Sequence, residues 1–203
     1  MDYYSKGEER FGPISSKIYS FGSKRPLKSF YIFIANDVKK LKPKTILDVG
    51  AGPGELAILL NKTIKNAKIY CVDPSTSMQK IARKKFNAFG VNNEYLLGSS
   101  RSIPLKKKFD IILTSISFHH WKEKEKSIKY LLKKLNKNGY LRIYEFYYDN
   151  LNRLQKVTMG KHSLSLKEAK SYSFKGYDKK VILHGNIIVM SFKKADKSIN
   201  NNY

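Results

Sequence analysis

Glycines stand at positions 50, 52 and 54, directly after the apolar run Thr45-Ile46-Leu47-Asp48-Val49. A strand that empties into such a loop lets the backbone approach a ligand closely and turn into a helix N-terminus, which is a nucleotide-type arrangement. The dinucleotide fingerprint G-x-G-x-x-G needs a glycine at position 55, where this chain has Glu55. A pyridine dinucleotide therefore fits the spacing poorly. Asp48 sharpens the distinction, because a carboxylate at the rim of the loop repels a pyrophosphate and suits an ammonium, directly or through water. Asp73 closes the next β-rich run, where an acidic side chain can accept hydrogen bonds from both hydroxyls of a ribose. Without the glycine loop, an aspartate before Pro74 would read only as a turn former.

Further along, His119 and His120 precede Trp121. Imidazole titrates near neutrality, so either histidine is a candidate to deprotonate an acceptor hydroxyl, although paired histidines at a helix start are often structural. Cys71, the only cysteine, lies in the apolar run Ile69-Tyr70-Cys71-Val72 and reads as a buried, inert thiol. It can form neither an internal disulfide nor a multi-cysteine metal site, and no metal site is expected.

The elements that position these residues follow from periodicity. From residue 44 onward, short β-rich runs alternate with longer amphipathic ones, the pattern of repeated βα units in an α/β, mostly parallel central sheet with helices on both faces. Strands are predicted at 45–49, 68–72, 94–97, 109–114 and 140–146, and helices at 55–65, 77–89 and 124–135, the last closed by Asn138-Gly139. A short helix follows at 165–171. Runs at 181–183 and 187–192, broken by His184-Gly185-Asn186, predict a final antiparallel hairpin. A further helix is predicted at 29–40. Residues 1–43 thus read as an N-terminal helical cap whose Tyr3, Tyr4, Phe11, Tyr19 and Phe21 suit a lid. Residues 44–192 read as the ligand-binding domain and 193–203 as a disordered tail.

The stretch ILDVGAGPGELA at 46–57 resembles the first motif of class I S-adenosylmethionine-dependent methyltransferases, and IYCVDPSTSM at 69–78 resembles the second. YLLGSSRSIPL, FDIILTSISFHHW and LNKNGYLRIYE are similar to the third, fourth and fifth. The resemblance is greatest to the small-molecule branch typified by quinone-biosynthesis methyltransferases. It implies a Rossmann-like fold with S-adenosylmethionine as cofactor. Asp48 is then near the methionine ammonium, and Gly50, Ala51, Gly52 and Gly54 line the methionine end. Asp73 with Pro74 holds the ribose, and Met78 packs on adenine. Where the family usually has an aspartate for the adenine amino group this chain has Ser99, leaving adenine to the backbone amide of Ser100 and a weaker hydroxyl contact. Ser115 falls near the transferred methyl, with Phe118, His119, His120 and Trp121 lining the acceptor pocket.

The acceptor is narrowed by what is missing. Thr114-Ser115-Ile116-Ser117 lacks the Asn/Asp-Pro-Pro-Tyr pattern of base-amino methyltransferases, and Cys71 is misplaced for a cytosine C5 nucleophile. The Lys-Asp-Lys-Glu set of ribose 2'-hydroxyl enzymes is not evident, and one thiol argues against arsenic methylation. The chain has 40 Lys+Arg against 16 Asp+Glu, a formal charge of +24 that attracts polyanions at low salt. Because the surplus is mostly dispersed lysine, biased composition produces it equally well. The expected function is methyl transfer to a small or lipophilic metabolite. A tRNA or rRNA methyltransferase using its basic surface, and a non-catalytic S-adenosylmethionine-binding adaptor, are the alternatives. With no apolar run near the roughly 20 residues that span a bilayer and no signal peptide, the expected location is cytoplasmic.

Overall fold

The protein, as a computed structural model, is described over residues 24–195. Helix α1 (Lys24–Lys40) leads into β1 (Thr45–Val49), α2 (Glu55–Thr63), β2 (Lys68–Asp73), α3 (Thr76–Ala88) and β3 (Glu94–Leu97). Then follow β4 (Phe109–Ser115), a 3-10 turn (Phe118–His120), α4 (Lys124–Lys133) and the long β5 (Leu135–Tyr147). After β5 come α5 (Arg153–Met159), β6 (Ser163–Leu164), α6 (Leu166–Ser171), β7 (Tyr177–His184) and β8 (Ile187–Lys194).

Eight strands form one sheet in the order β3-β2-β1-β4-β5-β8-β7, with β6 on β5. Neighbours from β3 through β5 pair in parallel, whereas β8 runs antiparallel to both β5 and β7. The chain steps from β1 to β2 on one side and returns to β4 on the other. The glycine loop therefore lies at a topological switch point, where open α/β sheets bind ligands.

Alternation along the strands divides the core into two layers. Ile46, Ile69, Cys71, Ile111 and Leu113 pack under α1, α2 and α3, while Leu47, Tyr70, Val72, Ile112 and Ile143 pack under α4 and α6. Helix α1, expected within the N-terminal cap, packs into this core. Phe30, Ile34 and Val38 are buried, Phe30 meets Phe146 at 5.0 Å between ring centroids, and Asp37 accepts hydrogen bonds from Arg142 (2.8 Å) and the Tyr144 hydroxyl (2.7 Å). The five aromatic residues expected to form a lid lie outside the described residues.

The structure departs from expectation around β5. Asn138-Gly139, expected to close the preceding helix, lies inside the strand, and the β4–β5 register shifts between Phe109 and Ile111. A Cβ at Gly139 would stand 2.8 Å from the Phe109 carbonyl oxygen, so this glycine serves close strand approach. At the carboxyl end, Lys193 and Lys194 belong to β8, paired with Tyr140 and Tyr177, so the predicted tail starts too early. Helix α5 and strand β6 were not anticipated. No helix among the described residues is long and apolar enough to cross a membrane.

Candidate functional site

At the end of β1 the amides of Gly50 and Ala51 donate to the Val72 carbonyl, at 2.8 and 3.2 Å, which bends the chain across the end of β2. Gly50, Gly52 and Gly54 have φ of +76°, +51° and +77°, a left-handed backbone that side chains disfavour. Space adds to that requirement. A Cβ at Gly50 would lie 2.0 Å from Ser117 Oγ, and one at Gly54 would lie 2.6 Å from the Phe86 ring. The loop after β4 thus presses directly on the glycine loop.

Two groups pin the Gly52 peptide. Its amide donates to Asp73 Oδ2 at 3.0 Å, and its carbonyl accepts from the Tyr95 hydroxyl at 2.5 Å. The other Asp73 oxygen accepts from the Ser75 amide at 2.9 Å. Burial raises the Asp73 pKa to about 6 even though these two amides pull it down. Tyr95 opens the stretch that resembles the third motif, but nothing in the sequence singled it out.

Asp48 is buried, and neither carboxylate oxygen has a hydrogen-bond partner. Burial, and then the charge of Asp73, push its pKa up to about 7. The Thr114 hydroxyl on adjacent β4 is likewise buried without a partner. The same burial, with Asp48 and Asp73 nearby, pushes the Cys71 thiol up and keeps it protonated.

Around this centre, Ser75 caps α3 by accepting from the Met78 amide at 3.3 Å, which places Pro74 and Met78 beside Asp73 at the helix start. Ser99 is tied into a tight turn with Ser102, and its hydroxyl accepts from the Arg101 amide at 3.3 Å. The Ser100 hydroxyl pairs with Ser127 on α4 at 2.8 Å. Ser115 ends β4, and Ile116 follows at φ +49°, an unusual conformation for a β-branched residue. Phe118 and Trp121, expected in an acceptor pocket, instead pack edge-on against each other at 5.2 Å within the core. Their large apolar rings are drawn under the sheet. Glu55 forms a partly exposed ion pair with Lys85 at 2.7 Å.

His119 has a more specific environment. Its Nδ1 lies 3.1 Å from Glu145 Oε2 on β5, and its Nε2 lies 2.9 Å from Nδ1 of His162. Glu145 is fully buried, and its other oxygen accepts from the Phe118 amide at 2.8 Å. The His120 ring stands 4.0 Å from that of His119. The structure thus joins the two predicted histidines to Glu145 and His162, neither of which the sequence singled out.

Residues 46–139 match the methyltransferase domain family. Over these residues the chain is similar in sequence to methyltransferases, and its fold is that of the class I S-adenosylmethionine-dependent enzymes. A methyltransferase of Staphylococcus carnosus is 32% identical over 122 residues, covering 59% of this chain and 56% of that protein. The ubiquinone/menaquinone biosynthesis C-methyltransferase UbiE of Wigglesworthia glossinidia brevipalpis is 32% identical over 149 residues, covering 68% and 58%. The chain thus spans little more than half the length of these curated relatives. Among solved structures, a candidate S-adenosyl-L-methionine-dependent methyltransferase from Methanococcus maripaludis superposes with a TM-score of 0.78 at 19% identity, covering 95% of this chain and 97% of that one. The plantazolicin methyltransferase BpumL, solved with a triazolic desmethylPZN analog and SAH, gives 0.74 at 15% identity, covering 90% and 92%. This methyltransferase fold places the glycine loop, Asp48, Asp73 and the β4 tip at one edge of the sheet.

Proposed function

We propose that this methyltransferase transfers a methyl group from S-adenosylmethionine to a small or lipophilic acceptor at the carboxyl-terminal edge of β1, β2 and β4. Asp48 carries the reading. A buried carboxylate without a donor, beside a cradle of left-handed glycines, is satisfied by an organic ammonium and opposed to a phosphate. Gly50, Ala51, Gly52 and Gly54 then line the methionine end. Asp73, with Pro74 beside it, takes the ribose hydroxyls on lone pairs left over from the Gly52 and Ser75 amides. Met78, Ser99 and Ser100 border adenine, and Ser115 borders the reacting methyl.

The bound cofactor supplies an electrophilic methyl group. The chain's part is to align the acceptor and exclude water, for which His119 and His120 stand beyond Ser115 on the same loop. The Nε2 lone pair that His119 would use as a general base is met by His162, so positioning outweighs proton abstraction here. The UbiE relatives are named for ubiquinone/menaquinone biosynthesis, which supports a small, lipophilic acceptor.

Incubation with methyl-labelled cofactor and a cell extract separated into RNA, protein and small-molecule fractions tests it. Label is expected in the solvent-extractable small-molecule fraction. Label in RNA, declining steeply between about 50 and 200 mM salt, would overturn the acceptor assignment.

A further inference from the structure

His119, His120 and His162 offer three imidazole nitrogens that all lie within 4.8 Å of one another. Two come from the 3-10 turn after β4, and the third comes from a second 3-10 turn, Gly160–His162, just before β6. Strand register brings the two turns together. Phe146 and Tyr147 of β5 pair in parallel with Ser163 and Leu164 of β6, so the residue before Ser163 falls alongside Glu145. The second turn is also held from within, since the Ser163 hydroxyl donates to the Gly160 carbonyl at 2.7 Å.

Glu145 decides which nitrogen His119 presents. With the carboxylate at 3.1 Å, Nδ1 carries the proton and Nε2 keeps its lone pair. Nε2 is the atom that meets His162. A carboxylate behind one imidazole nitrogen while the other faces outward is the arrangement that orients metal-ligating histidines and raises their basicity. The His119 side chain is 7% exposed and that of Glu145 is 0%, so the pair is rigidly seated, whereas His162 is exposed and leaves an approach from solvent.

We infer that His119, His120 and His162 form a binding site for a divalent transition metal of the zinc type, with Glu145 as the carboxylate that orients His119. Neutral imidazole suits such borderline ions, and three histidines leave a fourth tetrahedral position open. Tetrahedral bonds of about 2.1 Å separate the nitrogens by roughly 3.4 Å, so the widest pair closes by small ring rotations. His162 gives up its hydrogen bond to His119 and turns a lone pair to the metal. Ser117, two residues before His119, presses on Gly50, so the histidine turn adjoins the loop assigned to the cofactor. An acceptor oxygen held at the open position would be polarised toward the methyl donor; this last clause rests on the methyl-transfer reading, while metal binding does not.

The test uses full-length, tag-free protein stripped with a chelator and titrated calorimetrically with zinc chloride, with cobalt(II) absorption reporting coordination geometry. One equivalent is expected to bind with a tetrahedral cobalt spectrum. His162→Ala and His119→Ala should each weaken binding by at least about tenfold, and Glu145→Gln by about 10- to 100-fold. Titration of the same samples with S-adenosylhomocysteine shows that the variants are folded and tests the cofactor site separately. Absence of stoichiometric zinc binding, or equal affinity in a His162→Ala variant that still binds S-adenosylhomocysteine, overturns the metal site and leaves the methyltransferase reading standing.

Discussion

Two aspartates at opposite ends of the same sheet are treated in opposite ways. Asp110, at the start of β4, accepts hydrogen bonds from the amides of Lys44 and Thr45, the Thr45 hydroxyl and the Asn136 side chain, at 2.6 to 3.1 Å. Burial alone would raise its pKa, but these donors outweigh it and hold the carboxyl below its usual value. Asp48, near the end of β1, has no donor at all and is pushed up to about 7. The amino-terminal edge is built to be stable. The carboxyl-terminal edge carries polar groups left unsatisfied by the fold itself, and such groups mark where a ligand completes the structure.

Substitutions can break that contrast. The largest effect is expected from Gly50→Ala, whose Cβ would collide with Ser117 in a left-handed backbone. Calorimetry with S-adenosylhomocysteine should show affinity lowered by about 100-fold or more, as the loop must move. Asp73→Ala removes the ribose acceptor and should cost about 2 to 3 kcal/mol of cofactor affinity. Unchanged affinity in a folded variant would reduce Asp73 to a turn residue.

Asp48→Asn should separate stability from binding. A carboxyl whose folded pKa is raised stabilises the fold below its unfolded pKa and loses that contribution as pH rises through the folded value. For Asp48 the window runs from about 4 to about 7. The ligand-free variant should therefore melt higher than the parent at pH 8, by about 1 to 3 kcal/mol, with no gain near pH 4. Its cofactor affinity should fall. A variant destabilised at pH 8 would show that Asp48 is satisfied within the fold.

The smallest change is expected for Asp110→Asn, with a loss of about 1 kcal/mol in denaturant unfolding and cofactor affinity unaltered. The pH dependence reverses here, because a lowered pKa gives stability that is present above the unfolded value and is lost as pH falls. Altered cofactor affinity would break the division between the two edges.

Much of the carboxyl-terminal edge was legible because its constraints are local. Three alternate glycines, an aspartate before them and an aspartate closing the next strand are each dictated by backbone conformation within a few residues. Glu145 and His162 were not legible. Glu145 looks like the polar end of an apolar strand, and only register across β5 and β6 brings His162 beside it. Helix α5 escaped because it shows no core-facing stripe: Leu154 and Val157 are 75% and 84% exposed. Its signal lay in the capping box of Asn152 and Gln155, a four-residue cue with no hydrophobic period behind it. Phe118 and Trp121 were misplaced because aromatic residues next to histidines read as pocket lining, while tertiary packing turned them inward.

Among the described residues the sheet ends in two edge strands, β3 and β7, and they differ in length. β3 has only four residues, but β7 has eight; on it Lys180 is exposed, whereas the Lys179 ammonium donates to the Ala169, Lys170 and Tyr172 carbonyls. A long free strand is a template on which another chain can pair, and lysine on it is a known deterrent. Addition of a second copy to β7 would crowd like charges against one another on a molecule already at +24. A net charge of +24 thus opposes strand-to-strand pairing of copies at this edge, whatever the methyl acceptor proves to be.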